Sequence, residues 1–255
     1  MDALRRSTAR KRNIYDLLAV LCFSVCLVAA GYIGWKLLVQ DHSIVQQQVA
    51  DAAALNAAVS EPVTPPGEPS PAPSAPVAVD GHTAPPIVET PVAGEDFATI
   101  YVPRFGEDYV RVLREGTDVE DVLNQGRVGR YEGTAMPGAV GNFAVAAHRS
   151  AYGGAFHLLP DLEPGDRIYV RAAEGWYTYS YTTQRVVAPT EVSVLAPVPG
   201  QPGVAPTARM MTLTTCDPLY SSAQRIAAVA EFVSWQPLSA GAPGELHLSS
   251  LDGSE

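Results

Sequence analysis

Lysine is absent after Lys36, and the arginines beyond it stand singly among more numerous acids, giving a formal net charge of −10. No basic stripe and no aromatic pair of the RNA-binding kind occurs, which excludes nucleic acid as a partner class. No cysteine/histidine spacing suits zinc, and neither HExxH nor a glycine-rich phosphate loop is present, so no metal and no cofactor is expected. Cysteine is scarce as well. Of three, Cys22 and Cys26 lie in an apolar N-terminal run, and Cys216 stands alone beyond it.

Charge is missing from residues 17–35, a run bracketed by Asp16 and Lys36. At 1.5 Å rise per residue that run spans about 28 Å, close to the hydrocarbon thickness of a bilayer. It exceeds the about 7–15 apolar residues of a cleaved signal peptide, and no small-x-small site follows Trp35. Residues 2–13 carry Arg5, Arg6, Arg10, Lys11 and Arg12 against the single acid Asp2. Positive charge stays on the cytoplasmic side, so the remainder of the chain is expected outside the cell. The sequence predicts a cytoplasmic basic segment over 1–13 and a single-pass, uncleaved signal anchor over 14–39.

Aromatics almost vanish from residues 46–91, whereas proline recurs from Pro62 to Pro91 too often for helix or central strand. Such a stretch cannot bury enough apolar surface to offset chain entropy. Residues 40–94 therefore read as an extracytoplasmic linker, part polyproline II, with a reach of up to about 140 Å. Within it, 46–56 has the composition to prolong the membrane helix for a few turns, and His82 reads as solvated.

From about residue 95 the pattern changes to short β-type runs between glycine and proline turns. Strands are expected at 98–103, 109–113, 128–131, 142–147, 167–172, 176–187, 210–215 and 226–235, with Glu174-Gly175 closing a hairpin. Thr117-Asp118-Val119-Glu120 has the form of a capping box opening a short helix that ends at Gly126. Helical turns fit 155–162 and 190–195. The connections are local rather than βαβ, which predicts an all-β, antiparallel barrel or sandwich over 95–236. The glycine-, serine- and acid-rich segment 237–255 reads as a disordered tail.

Cysteine outside the cell normally pairs in a disulfide, and Cys216 has no partner in its own domain. Two readings fit: a buried apolar residue at a strand end, or a nucleophile. Among the five histidines, His148 ends the apolar strand Phe143-Ala144-Val145-Ala146-Ala147, where a side chain is held firmly yet reachable. Cys216 ends its strand in the same way. His157 reads as structural, while His42 and His247 lie outside the folded domain. Arg225 reads either as a strand-edge arginine or as a fixed cation that steadies a developing oxyanion.

In order and spacing, Gly141–Arg149, Phe156-His157-Leu158-Leu159, Gly165-Asp166, Thr212-Leu213-Thr214-Thr215-Cys216-Asp217-Pro218 and Arg225 resemble the sortases. Tyr131-Glu132-Gly133-Thr134-Ala135-Met136-Pro137-Gly138 extends the likeness upstream. The Thr-Leu-Thr-Thr-Cys form with His-Arg-x-x-Tyr-Gly is most similar to class E, the housekeeping type of high-GC actinobacteria. The resemblance implies an eight-stranded sortase-type β-barrel and a membrane-bound cysteine transpeptidase. By position, Cys216 would be the nucleophile, His148 the general acid/base and Arg225 the stabiliser of substrate and oxyanion. Tyr131 falls where sortases line the substrate groove, and Thr215 where it could help bind substrate.

Family substrates carry a C-terminal sorting signal, Leu-Pro-x-Thr-Gly or Leu-Ala-x-Thr-Gly, cut between Thr and Gly. The implied partners are secreted proteins bearing that signal, a peptidoglycan-precursor amine of the lipid II type, and the cell membrane. A pilin-polymerising sortase is one alternative, although no Asp-Pro-aromatic lid segment precedes the domain. A tethered β-domain with an inert Cys216 is another. L,D-transpeptidases place a histidine just before the cysteine, and NlpC/P60 peptidases place it downstream. Here Thr214-Thr215 precede Cys216 and His148 lies far upstream, which fits neither.

Overall fold

The computed structural model describes residues 2–35, 41–60 and 84–246. Two compact units emerge, Met1–Ser43 and Ile44–Glu255. The first contains helix α1 (Asp2–Trp35). Its stretch Tyr15–Trp35 has a mean hydropathy of 2.4 and is the one described helix long and apolar enough to cross a membrane. Leu17, Phe23, Val28 and Ile33 are all exposed along it. A helix apolar on every side needs an apolar medium, which lipid supplies.

The second unit is a closed barrel of eight strands. They are β1 (Asp96–Tyr101), β2 (Val110–Glu115), β3 (Val128–Arg130), β4 (Gly141–Ala146), β5 (Arg167–Ala172), β6 (Gly175–Val187), β7 (Arg209–Asp217) and β8 (Gln224–Gln236). Around the barrel the order is β1-β2-β3-β4-β7-β8-β6-β5, with β5 returning to β1. Every expected strand is present within a few residues. The all-antiparallel arrangement is not: β2 pairs with β3, and β4 with β7, in parallel. Hydrophobic alternation reports which face is buried, whereas strand direction depends on where the connection returns.

Inward residues alternate along each strand and meet in one core. Phe143, Val145, Met211, Leu213, Ile226, Ala228 and Ala230 fill it together with Ile100, Ile168, Tyr177 and Tyr179. A smaller apolar cluster, Tyr101, Val110, Val112, Tyr169 and Trp176 with Ala52 and Leu246, lies apart from that core.

Three expectations are corrected. Residues 41–60 form helix α2 (Asp41–Ser60), which takes in the 46–56 stretch with helical composition and extends through residues expected as linker. The segment is alanine-rich and free of proline, with Asp41 in the first turn, where a carboxylate suits the helix dipole. Its polar side chains find barrel partners: Asp51 accepts from Arg127 at 2.9 Å, and Asn56 bonds both Thr99 and Tyr101. Residues 84–94 also belong to the fold. Val88 is buried, and Pro86 O accepts from the Tyr177 hydroxyl at 2.9 Å. Gly138, at φ +85°, admits that approach, since a Cβ there would stand 2.1 Å from Pro86 O.

In the tail, Leu246 is buried and Glu245 accepts from Tyr169 at 2.9 Å, so order reaches residue 246. The proline-rich residues 61–83 and the tail from 247 lie outside the described residues.

The expected helix after Thr117 is a series of turns closing in the 3₁₀ turn Leu123–Gln125. Asp118, rather than Thr117, caps it, its Oδ1 accepting from the Glu120 and Asp121 amides. Gly126 terminates it in the left-handed conformation as expected. The 155–162 and 190–195 turns appear as the 3₁₀ segments Leu159–Asp161 and Val192–Leu195.

Candidate active site

Strands β4, β7 and β8 lie side by side and carry the site. Cys216 pairs directly with Arg225 across the antiparallel β7–β8 ladder. Along the parallel β4–β7 ladder the last register pair is Ala146↔Thr214. The Ala147 amide then donates to Thr214 O at 3.2 Å, and the Thr215 hydroxyl donates to Ala147 O at 2.8 Å. Continuing that register two residues sets His148 beside Cys216, both at the C-terminal ends of their strands.

Side-chain alternation assigns the face. Val145 and Ala147, Met211 and Leu213, and Ile226 and Ala228 all point into the core. Their neighbours in the period-two pattern therefore point out, and His148, Cys216 and Arg225 share the outer face. The parallel β4–β7 pair is what makes this possible. It brings two strand ends from distant sequence to the same rim of the barrel, where an antiparallel pair would send them to opposite rims.

His148 is half-buried, and burial lowers its pKa below the ordinary histidine value. Its Nε2 lies 2.8 Å from Asn124 Oδ1, and its ring stacks on Tyr152 at 5.3 Å between centroids. The carbonyl oxygen of Asn124 can only accept, so this contact favours the tautomer with its hydrogen on Nε2, which leaves Nδ1 for proton transfer. Asn124 was not singled out from the sequence. It sits upstream in the short segment expected as a helix between Thr117 and Gly126, with nothing local to mark it for the site, and only the fold brings it to the imidazole.

Arg149 Nη1 donates to Asp217 Oδ1 and also reaches Cys216 O at 3.5 Å. The residue after the histidine thus grips the residue after the cysteine. The Asp217–Pro218 peptide is cis. Arg225 spends Nη1 on two carbonyls of its own turn, Ser222 O at 2.9 Å and Gln224 O at 2.8 Å. Its Nε and Nη2 make no hydrogen bond among the described residues, so donors of the planar fork remain for a ligand.

Tyr131 follows β3, and its hydroxyl donates to Thr214 Oγ1 at 2.9 Å while that hydroxyl donates on to Val145 O. This sets Tyr131 on the outer side of β7, the side that Cys216 shares. Thr215 is different. It is 3% exposed, its side chain falls on the core-facing side of β7 with Leu213, and its hydroxyl is committed to Ala147 O. His157 is exposed, with Nδ1 3.0 Å from Arg149 O, in keeping with a structural role. No cluster of three or more metal-binding side chains is found among the described residues.

A closed barrel with a thiol, an imidazole and a guanidinium on adjacent strand ends is an arrangement suited to thiol-based acyl transfer. The sortase-domain family model matches residues 100–233, about half the chain and nearly the whole barrel. The chain belongs to the sortase family.

Sortase SrtE1 of Streptomyces coelicolor is 39% identical over 159 residues, covering 60% of this chain and 45% of that protein. Sortase SrtE2 of the same organism is 32% identical over 140 residues, covering 52% and 54%. The chain spans about half the length of these curated relatives, which are of class E. Among solved structures, the SrtA sortase of Actinomyces oris superposes with a TM-score of 0.60 at 38% identity, over 64% of this chain and 93% of that one. Sortase E1 of Streptomyces coelicolor, crystallised with a tripeptide in its active site, gives 0.57 at 38% identity over 60% and 98%.

Proposed function

We propose that this chain is a membrane-anchored, class E-type transpeptidase that cleaves a C-terminal sorting signal between Thr and Gly. The acyl group then passes to a peptidoglycan-precursor amine. The observation that carries this reading is the direct β7–β8 pairing of Cys216 with Arg225, beside the strand end that presents His148.

Cys216 Sγ attacks the Thr carbonyl carbon while His148 Nδ1 takes the thiol proton. Arg225 donates to the oxygen that becomes negative. The C–N bond to Gly breaks, and His148 gives its proton to the leaving amine. The thioester retains enough acyl-transfer potential for an incoming amine to form a new amide without ATP. That amine loses its proton to His148, and Cys216 departs as the thiol. A histidine kept neutral by burial is ready to accept the first of these protons.

Tyr131 lines the signal-binding side, and Thr215 steadies the Ala147 carbonyl ahead of His148. Helix α1 anchors the enzyme, with its basic N-terminal segment in the cytoplasm and the barrel outside. Clients are secreted proteins bearing the Leu-Ala-x-Thr-Gly or Leu-Pro-x-Thr-Gly signal.

The test uses the full chain in nanodiscs with fluorogenic peptides of each signal, followed by mass spectrometry with and without an added amine. The expected result is cleavage at Thr-Gly, a Cys216 thioacyl adduct and amine-dependent product, all lost in Cys216→Ala. Neither adduct nor cleavage in a folded sample would make the barrel a tethered binding domain.

A further inference from the structure

Gln48 of helix α2 is fully buried on the barrel and has so far been given no role. Both ends of its amide are used. Nε2 donates to Gln125 O at 2.9 Å, and Oε1 accepts from the Val112 amide at 3.2 Å. The first bond holds the 3₁₀ turn Leu123–Gln125, and the second fastens the same side chain to strand β2. Asn124, next to Gln125 in that turn, is the residue that meets His148 Nε2.

The turn is also clamped sterically. A Cβ on Gly126 would stand 2.4 Å from Ile44 Cγ2 and 3.1 Å from Tyr152 O. One side of the turn therefore abuts α2. The other abuts the loop whose Tyr152 ring stacks on His148. No side chain fits between them.

We propose that Gln48 is a positioning residue for His148, acting through the Asn124 turn to hold the imidazole as its Nε2–H tautomer. This rests on the reading of His148 as the proton carrier of the transfer, because only then does the free nitrogen matter. An amide is the side chain that donates and accepts at one tip, which is what a turn carbonyl and a strand amide together require. Helix α2 is in this sense part of the active site rather than part of a spacer.

The experiment observes the His148 tautomer directly by long-range ¹H–¹⁵N NMR of ¹⁵N-histidine-labelled full-length protein in micelles, assigned with His148→Gln. Four variants are compared with the parent: Gln48→Met, Ile44→Ala, Asn124→Ala and the double variant Gln48→Met/Asn124→Ala. The parent should show a single Nε2–H tautomer at neutral pH. Gln48→Met should give a tautomer mixture and about a tenfold loss in kcat/KM. The milder Ile44→Ala, at a partly exposed site, should move both readouts the same way by about threefold.

In the Asn124→Ala background, Gln48→Met should change neither readout further, since its route to the histidine is already cut. A purely structural Gln48 would lower the melting temperature while leaving the tautomer unchanged, or would add to Asn124→Ala; either result overturns the proposal. The tautomer is read without substrate, so this outcome is separate from whether the chain is a transpeptidase.

Discussion

Arg149 and Asp217 form an ion pair that joins the residue after His148 to the residue after Cys216. Both side chains are mostly shielded, at 14% and 21% exposure. The pair crosses between β4 and β7 beyond the last backbone register contact, so it does for the two strand ends what ladder hydrogen bonds do lower down. Asp217→Asn should therefore impair catalysis more than folding. An ångström of displacement between reacting groups costs up to about a hundredfold in rate. The expected outcome is a fall in kcat/KM of about tenfold to a hundredfold in the peptide cleavage assay, with a shift in melting temperature of only a few degrees.

Arg225 offers a second, geometry-dependent prediction. Its Nη1 anchors the guanidinium to Ser222 O and Gln224 O, so the remaining donors are presented at a fixed angle. Arg225→Ala should lower kcat by about 10²–10³, the range for loss of an oxyanion donor. Arg225→Lys should recover little of it, because an ammonium cannot hold the turn and a ligand in the same plane. Cys216 alkylation by a substrate-like electrophile, followed by mass spectrometry, would show that the thiol itself remains accessible.

The histidine also enters folding stability. Burial sets the His148 pKa in the folded state below its unfolded value of about 6.5. A depressed folded pKa means that its contribution is fully present above about pH 6.5 and is lost as pH falls through the lowered folded value. Denaturant titrations between pH 7 and pH 5 should therefore show a steeper loss of stability for the parent than for His148→Gln. Equal slopes would mean that the ring is solvated in the folded state.

Tyr131 separates substrate contact from scaffolding. Removing its hydroxyl leaves Thr214 Oγ1 still bonded to Val145 O, so Tyr131→Phe should cost no more than about 1 kcal/mol in stability. If the ring lines the signal-binding side, Tyr131→Ala should raise KM severalfold with little change in kcat. Steady-state kinetics with the preferred peptide distinguishes the two effects.

Glu115 and Arg130 form a buried bidentate pair, at 2.6 Å for each bond and 4% and 3% exposure. Replacing only Glu115 by Ala leaves a guanidinium uncompensated inside the protein. The expected loss is about 3–5 kcal/mol in chemical denaturation, larger than any of the site substitutions above.

Much of this was legible beforehand, for identifiable reasons. The alternating run within β6 and the turn at Glu174-Gly175 mark the β5–β6 hairpin, and Gly175, at φ +141°, takes a conformation that L side chains rarely adopt. Cys216, His148 and Arg225 could be picked out because each stands at a strand end with chemistry unusual for its surroundings. Helix α2 was missed as part of the fold because its own sequence is a plain alanine-rich helix. The reason it docks lies in Thr99, Tyr101, Val112 and Arg127, all on the barrel. Thr215 was grouped with Cys216 by adjacency, yet adjacent residues on a strand face opposite ways.

What the sequence by itself determined is whatever is written in local pattern. That covers the apolar stretch of α1, the number and placing of the strands, and the candidate thiol, imidazole and guanidinium. Tertiary structure decided the parallel pairing of β4 with β7, the contact between Asn124 and His148, and the grip of Arg149 on Asp217. It also decided which face of each strand turns outward. These depend on where the chain returns after long connections, and hydrophobic periodicity, which reports only burial, carries no record of that.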